Sequence, residues 1–160
     1  LADFVLFTFN NMNMRPNQVF ACSLPYSPLH EDKMYSVIEA IERELLTPYG
    51  LRSLSPQHPS YKGTCQGNMR ERDVAYHQGS VWPWLLAPFA EAYLKIHQKS
   101  GLRLIKKLYD GFEKEMFNHG IGSISEIYDG NPPHEPRGSI SQAWNVAALL
   151  WIKKLMSDYE

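Results

Sequence analysis

Apolar residues recur along this chain in two different rhythms. From Ser27 to Leu46, the residues Met34, Val37, Ile38, Ile41 and Leu45 fall on one stripe, with charged residues filling the positions between. That i, i+3, i+4, i+7 spacing belongs to an amphipathic helix. Ser27 stands where a cap belongs and Pro28 suits a first helical position, so the pattern predicts a helix that starts there and stops at Thr47-Pro48. Ser100 to Phe117 repeats the design, with Leu104, Ile105, Leu108, Phe112 and Met116 inward and Lys106, Lys107, Asp110 and Lys114 toward water. Both segments read as surface helices.

The other rhythm is nearly continuous. Phe20 to Leu24, Val81 to Leu94 and Ile140 to Leu155 are apolar almost all round, the signature of a buried helix. Pro16 and Pro83 fall where a first turn tolerates them, whereas Pro88 lies deeper and predicts a kink. Each segment opens with a polar and aromatic cluster: RPNQ at 15–18, YHQGSVWPW at 76–84 and RGSISQAW at 137–144. Buried helices alternating with amphipathic ones predict an all-α chain of concentric inner and outer helices, with the unusual chemistry at one mouth of the inner ring. Gly50 to Asp73 and His119 to Pro136 read as long polar loops from an outer helix to the next inner one, and loops of that length tend to carry function. Residues 1–14 read as a lead-in segment.

Composition narrows the classes. A chain of 160 residues, 44% apolar and 12% aromatic, can bury a core as one domain or part of one. Sixteen Lys and Arg against seventeen Asp and Glu are scattered, leaving no footprint for nucleic acid or an anionic membrane. No apolar run approaches the ~18 residues of a membrane span, and the start LADFVLFTFNN lacks the basic flank of a signal peptide. Cys22 and Cys65 form no CxxC and the six histidines no HExxH, so the expectation is free thiols in a reducing cytoplasm, with no metal and no cofactor.

The clusters suit a sugar. A pyranose offers apolar C–H faces that stack on aromatic rings, and hydroxyls that need donors and acceptors. Tyr76, Trp82, Trp84, Tyr128 and Trp144 supply faces; Arg15, Asn17, Gln18, His77, Gln78 and Gln142 supply polar groups. In GIGSISEIYDG an extended backbone would put Ile124, Glu126 and Tyr128 on one side, giving a carboxylate the aromatic and aliphatic neighbours that suit a catalytic acid or base. Structural duties compete at each position. The tryptophans can be core, Arg15 and Arg137 can brace loop carbonyls, and Ser139 with Gln142 can form a capping box. Glu126 and Asp129 can stabilise a turn, and Asp73 can pair with Arg70 or Arg72.

Four stretches, RPNQVFACSLPYSPL, LLTPYGLRSLSP, RDVAYHQGSVWPWLLAPFAEAYL and GSISEIYDGNPPHEPRGSISQAWNVAALL, closely resemble in that order the C-terminal end of the amylo-α-1,6-glucosidase domain of glycogen debranching enzymes. The resemblance runs from Arg15 onward. It implies an (α/α)6 toroid, of which this chain is the C-terminal portion, acting in the cytoplasm on glycogen, limit dextrin or another branched α-glucan. The implied reaction is hydrolysis of the α-1,6-linked glucose stub with inversion. Glu126 then corresponds to the general base, and the three clusters, with Tyr128 and Asp129, to substrate contacts. The family's general acid is an aspartate upstream of these motifs, and within this chain only Asp73 or Asp129 could attempt its part. A twelve-helix toroid takes ~250 residues or more. The isolated chain is therefore expected to hydrolyse little or nothing and to expose inner-ring apolar surface, which the rest of the barrel or a second copy would cover. A non-catalytic carbohydrate-binding relative, or another inverting α-glucosidase or trehalase-like toroid, are the alternatives.

Overall fold

The computed structural model describes residues 12–160 in full and, before them, the backbone of 4–6 and 9–11. These two segments, β1 (Phe4–Leu6) and β2 (Phe9–Asn11), pair antiparallel. Part of the lead-in expected at 1–14, residues 1–3 and 7–8, lies outside the described residues.

Helices dominate, in the rhythms read above. The amphipathic pair is α2 (Glu31–Glu44), burying Met34, Val37, Ile38 and Ile41, and α5 (Leu102–Asn118), burying Ile105 and Phe112. The first helix starts later than expected: the Ser27 hydroxyl accepts from the Leu29 amide and donates to the Ala21 carbonyl, so it secures a turn, and His30 precedes the helix. Such a local side-chain bond competes with helix formation. The three segments expected to be buried form α1 (Val19–Ser23), α4 (Leu86–His97) and α6 (Ala143–Tyr159), and the expectation fails for α6. None of the twelve α4 residues is exposed, and α1, α2 and α6 all pack against it. Pro88 falls at the third position of α4, just after a 3₁₀ turn at Pro83–Leu85, where its missing N–H deprives no helical bond; the expected kink gives way to a change of helix type at the start. α6 is buried on only one side. Asn145, Ala148, Leu149, Ile152 and Leu155 face inward, while Trp144, Leu150 and Trp151 are 52%, 65% and 44% exposed.

The all-α expectation needs correction. Both presumed loops contain strands, and a five-stranded antiparallel sheet runs in chain order from β3 (Leu46–Thr47) and β4 (Gly50–Arg52) through β5 (Val81–Trp82) to β6 (Ile127–Tyr128) and β7 (Pro136–Arg137). With two or three residues each, these strands are too short to show a period of two. The Gly50 to Asp73 segment also ends in an unexpected helix, α3 (Met69–Tyr76), which buries only Ala75 and so lacks an apolar stripe. It is nucleated by a capping box: the Asn68 side chain accepts from the Glu71 amide while the Glu71 carboxylate accepts from the Asn68 amide.

The sheet carries the site. Leu51 is opposite Trp82, and Val81 is opposite Tyr128, so the second polar cluster meets the segment that carries Glu126 edge to edge. The approach is close at Gly50, which has φ +145° and where a Cβ would collide with the Trp82 carbonyl. Gly50→Ala is therefore expected to destabilise the chain by about 2–3 kcal/mol in urea unfolding. A wild-type midpoint in that variant would show the sheet to be looser than described.

Candidate active site

Arg15 stands just before a 3₁₀ turn at Pro16–Gln18. Its guanidinium donates to the carbonyls of Ser53 (2.9 Å) and His77 (2.7 Å) and to Oε1 of Gln78 (2.9 Å). One charge thus fastens the first cluster to the end of α3 and to the residue after β4, the carbonyl brace weighed as its structural role. The result is a cavity of about 710 Å³, lined by Arg15, Asn17, Tyr76, His77, Trp82, Trp84 and Trp144 with Pro16, Ser53 and Leu85.

The walls are mainly rings. His77 stacks on Trp82 with centroids 5.4 Å apart and planes 6° from parallel, and Tyr76 stands edge-on to both at 4.8 Å. Trp84 rests on Phe20 at 5.9 Å. Trp82 is 7% exposed, and its buried indole N–H has no acceptor among the described residues. Buried donors almost always find one, so this ring keeps a polar handle beside its apolar face.

Glu126 interrupts a buried run. Its neighbours Ile124, Ser125, Ile127, Tyr128, Asp129 and Gly130 are all buried, whereas Glu126 is only half-buried. One carboxylate oxygen, Oε1, accepts a short hydrogen bond from the Tyr76 hydroxyl; the other, Oε2, accepts from the Ser139 amide at 2.9 Å. Gly138, at φ +68°, leaves room for that arrangement, because a Cβ there would collide with Oε2. Since Tyr76 lines the cavity, the carboxylate stands next to its wall with both oxygens oriented and lone pairs to spare. Burial pushes the Tyr76 hydroxyl well above its usual range, with the Glu126 hydrogen bond and charge adding to the effect. Tyr76 accordingly serves as a donor to the carboxylate, beyond the stacking face expected of it.

Four expected contacts lie elsewhere. Gln18 is buried and donates to the Met14 sulfur and the Arg15 carbonyl, away from the cavity. Tyr128 is fully buried, stacked on Tyr49 at 4.7 Å and hydrogen-bonded to Glu115 at 3.4 Å. It does not share the Glu126 surroundings because both sides of this segment are covered. Asp129 is locked from two directions: the Cys65 amide donates to Oδ1 at 2.8 Å, and Arg137 reaches Oδ2 through Nε at 3.1 Å and Nη2 at 2.8 Å. Gln142 precedes α6 without a side-chain cap bond, so the capping box with Ser139 does not form; its amide donates to the Ile124 carbonyl. Nor does Gln78 line the cavity; its Oε1 accepts from Arg15.

Asp73 belongs to a second cavity, of about 550 Å³, lined by Cys65, Gln66, Gly67, Arg72, Tyr76, Ile127, Arg137 and Gly138 as well. Tyr76 alone is common to both cavities. Among the described residues no cluster of three His, Cys, Asp or Glu side chains is arranged to hold a metal ion, and no helix is long and apolar enough to cross a membrane.

Sequence reasoning missed the residue that joins these parts. Asn145 is fully buried in the first turn of α6; its carboxamide oxygen accepts from the Trp84 amide at 3.0 Å, and its NH2 donates to the carbonyls of Ser125 (2.6 Å) and Glu126 (3.1 Å). The available signal was a lone amide in an otherwise apolar helix, since a buried polar group needs partners.

The raised Tyr76 value fixes a sign. A phenol whose folded value lies above its unfolded one, near 10, adds stability that is complete below pH ~10 and lost as the pH climbs further. Urea midpoints measured from pH 8 to 11 should hold and then fall, less steeply for Tyr76→Phe. Equal slopes for the two proteins would contradict the buried donor.

The family model described as Amylo-alpha-1,6-glucosidase matches residues 2–151, a span that contains both cavities, the sheet and Glu126. With that much of the chain matched, and with the ring-lined cavity and its adjoining carboxylate inside the match, the chain belongs to the amylo-α-1,6-glucosidase family.

Proposed function

We propose that the ring-lined cavity binds a glucose unit of a branched α-glucan, and that this chain supplies the sugar platform and the general base of an inverting α-1,6-glucosidase. The observation that carries the reading is the Glu126 carboxylate, fixed by the Ser139 amide and by the hydroxyl of Tyr76, a residue that lines that cavity. In the reaction so assigned, Glu126 takes a proton from water as the water oxygen bonds to C1. The bond from C1 to the α-1,6 oxygen breaks on the opposite face, and an acid protonates the departing oxygen. Trp82 and Trp84 stack the ring; His77, Asn17 and Arg15 meet its hydroxyls.

The acid is the missing half. Inversion needs two carboxyl groups roughly 6.5–9.5 Å apart, with water between one of them and C1. Among the described residues no carboxylate lines the first cavity, Asp129 is committed to Arg137 and the Cys65 amide, and Asp73 belongs to the second cavity. The acid in this reading comes from a segment outside the described residues. An (α/α)6 toroid accommodates it: α4, covered all round, is an inner helix, α2 and α5 are outer ones, and further toroid helices cover the open Trp144, Leu150 and Trp151 face of α6. Glycogen and limit dextrin are the assigned substrates, and the cytoplasm, which keeps Cys22 and Cys65 as free thiols, is the assigned compartment.

A carbohydrate-binding role without catalysis is the second reading, favoured by the same carboxylate-free lining. Two measurements separate the readings. Calorimetric titration of this chain with a glucose-like iminosugar should show binding that weakens at least tenfold, about 1.4 kcal/mol, in Trp82→Ala and in Glu126→Gln; no binding by a cooperatively folded chain would remove the assembled platform. Release of glucose from limit dextrin by the full natural protein should fall by a factor of about 10³ or more in Glu126→Gln. Binding without any turnover by the wild type would favour the non-catalytic role.

A further inference from the structure

Asn145 is poised between the two halves of the site. It sits in α6 with no solvent exposure, and each hydrogen bond of its side chain leaves the helix. The oxygen takes the Trp84 amide, at the start of a helical segment where that N–H has no intrahelical acceptor. The NH2 group takes the Ser125 and Glu126 carbonyls, and the second of these belongs to the residue whose carboxylate faces the cavity wall. A carboxamide is planar and has its donor and acceptor on opposite branches. Its three bonds therefore fix the Trp84 backbone and the Glu126 backbone relative to each other through one rigid group.

The Tyr76 hydroxyl and the Ser139 amide orient the Glu126 carboxylate, while its backbone has few ties besides Asn145. The Glu126 amide bonds to the Ser139 carbonyl, and its carboxylate to the Ser139 amide, but Ser139 and Gly138 are exposed. β6 adds pairing at only two residues, both after Glu126. On the buried side, the Glu126 carbonyl receives Asn145.

We infer that Asn145 is a positioning residue of this site: its side-chain amide sets the distance between the sugar platform at Trp84 and the carboxylate of Glu126, and it does so without touching substrate. The inference rests on the reading of Glu126 as the general base. A base displaced by ~1 Å loses much of its rate advantage while substrate binding, made by the rings, persists. The signature is a fall in kcat with little change in KM.

The test uses the full natural protein and α-glucosyl fluoride, whose leaving group departs without a proton and so reports on the base side alone. Asn145→Asp keeps the size and the acceptor for the Trp84 amide but loses the donors to Ser125 and Glu126; Asn145→Ala loses both. Each is expected to lower kcat at least tenfold with KM within about threefold of wild type. In a Glu126→Gln background, neither should lower the residual rate further, because a positioning effect vanishes with the group positioned. If Asn145→Ala does not fold, Asn145→Asp with a cooperative melt decides. Wild-type kcat in the folded Asp variant, while Glu126→Gln loses turnover, overturns the inference. So does a further loss of the same size in the Glu126→Gln background, the mark of a purely structural role. Normal turnover by Glu126→Gln itself overturns the base reading, and this inference with it, and is recognised as that failure by the Glu126→Gln single variant alone.

Discussion

Everything about this site depends on burying an irregular stretch of backbone. Residues 124–130 run through the interior with only Ile127 and Tyr128 in a strand, and buried peptide groups must find partners. They find them mainly in residues 135–145, with Arg52 reaching in from β4. The Ile124 carbonyl receives the Gln142 amide, the Ser125 and Glu126 carbonyls receive Asn145, and the Glu126 amide reaches Ser139. The Asp129 amide donates to the Glu135 carbonyl, and the Gly130 carbonyl receives Arg52 at 2.9 Å. A carboxylate set in such a stretch has its direction dictated by the satisfaction of the surrounding backbone. Orientation here is a by-product of solvation demands.

Four cations serve the same end. Arg15 and Arg52 spend their guanidinium donors on main-chain carbonyls, and Arg137 neutralises the buried Asp129 that anchors Cys65. Lys95 similarly takes the carbonyls of Ser23 and Leu24 at the end of α1, whose last carbonyls lack helical partners. Very little of this is surface ion pairing. Arg15 thus reads as a structural tie first, and it reaches the sugar-sized cavity while tied.

What was legible in the sequence follows from length scale. α2, α4 and α5 each run three turns or more, long enough for their apolar spacing to stand out. α3 was passed over because a helix that buries one alanine has no stripe, although the Asn68 and Glu71 capping pair was in plain view. The sheet was invisible because two-residue strands have no period, and its partners are far apart in sequence. In the site, the bulky aromatic and polar clusters announced themselves through their residue types. Asn145 did not, being one amide between tryptophan and valine, and Tyr128 was misread because alternation along a strand separates faces only when one of them is open.

The carboxamide of Asn145 also has a meaning for precision. In the sheet, the route from the Trp82 strand to the Glu126 segment crosses a single residue pairing between two-residue strands, and small displacements in such short pairings accumulate along the path. A planar group of a few atoms spanning the same gap replaces that summed tolerance with the stiffness of its own covalent bonds. The spacing of platform and carboxylate is then set as a dimension of one side chain, indifferent to small breathing of the strands around it.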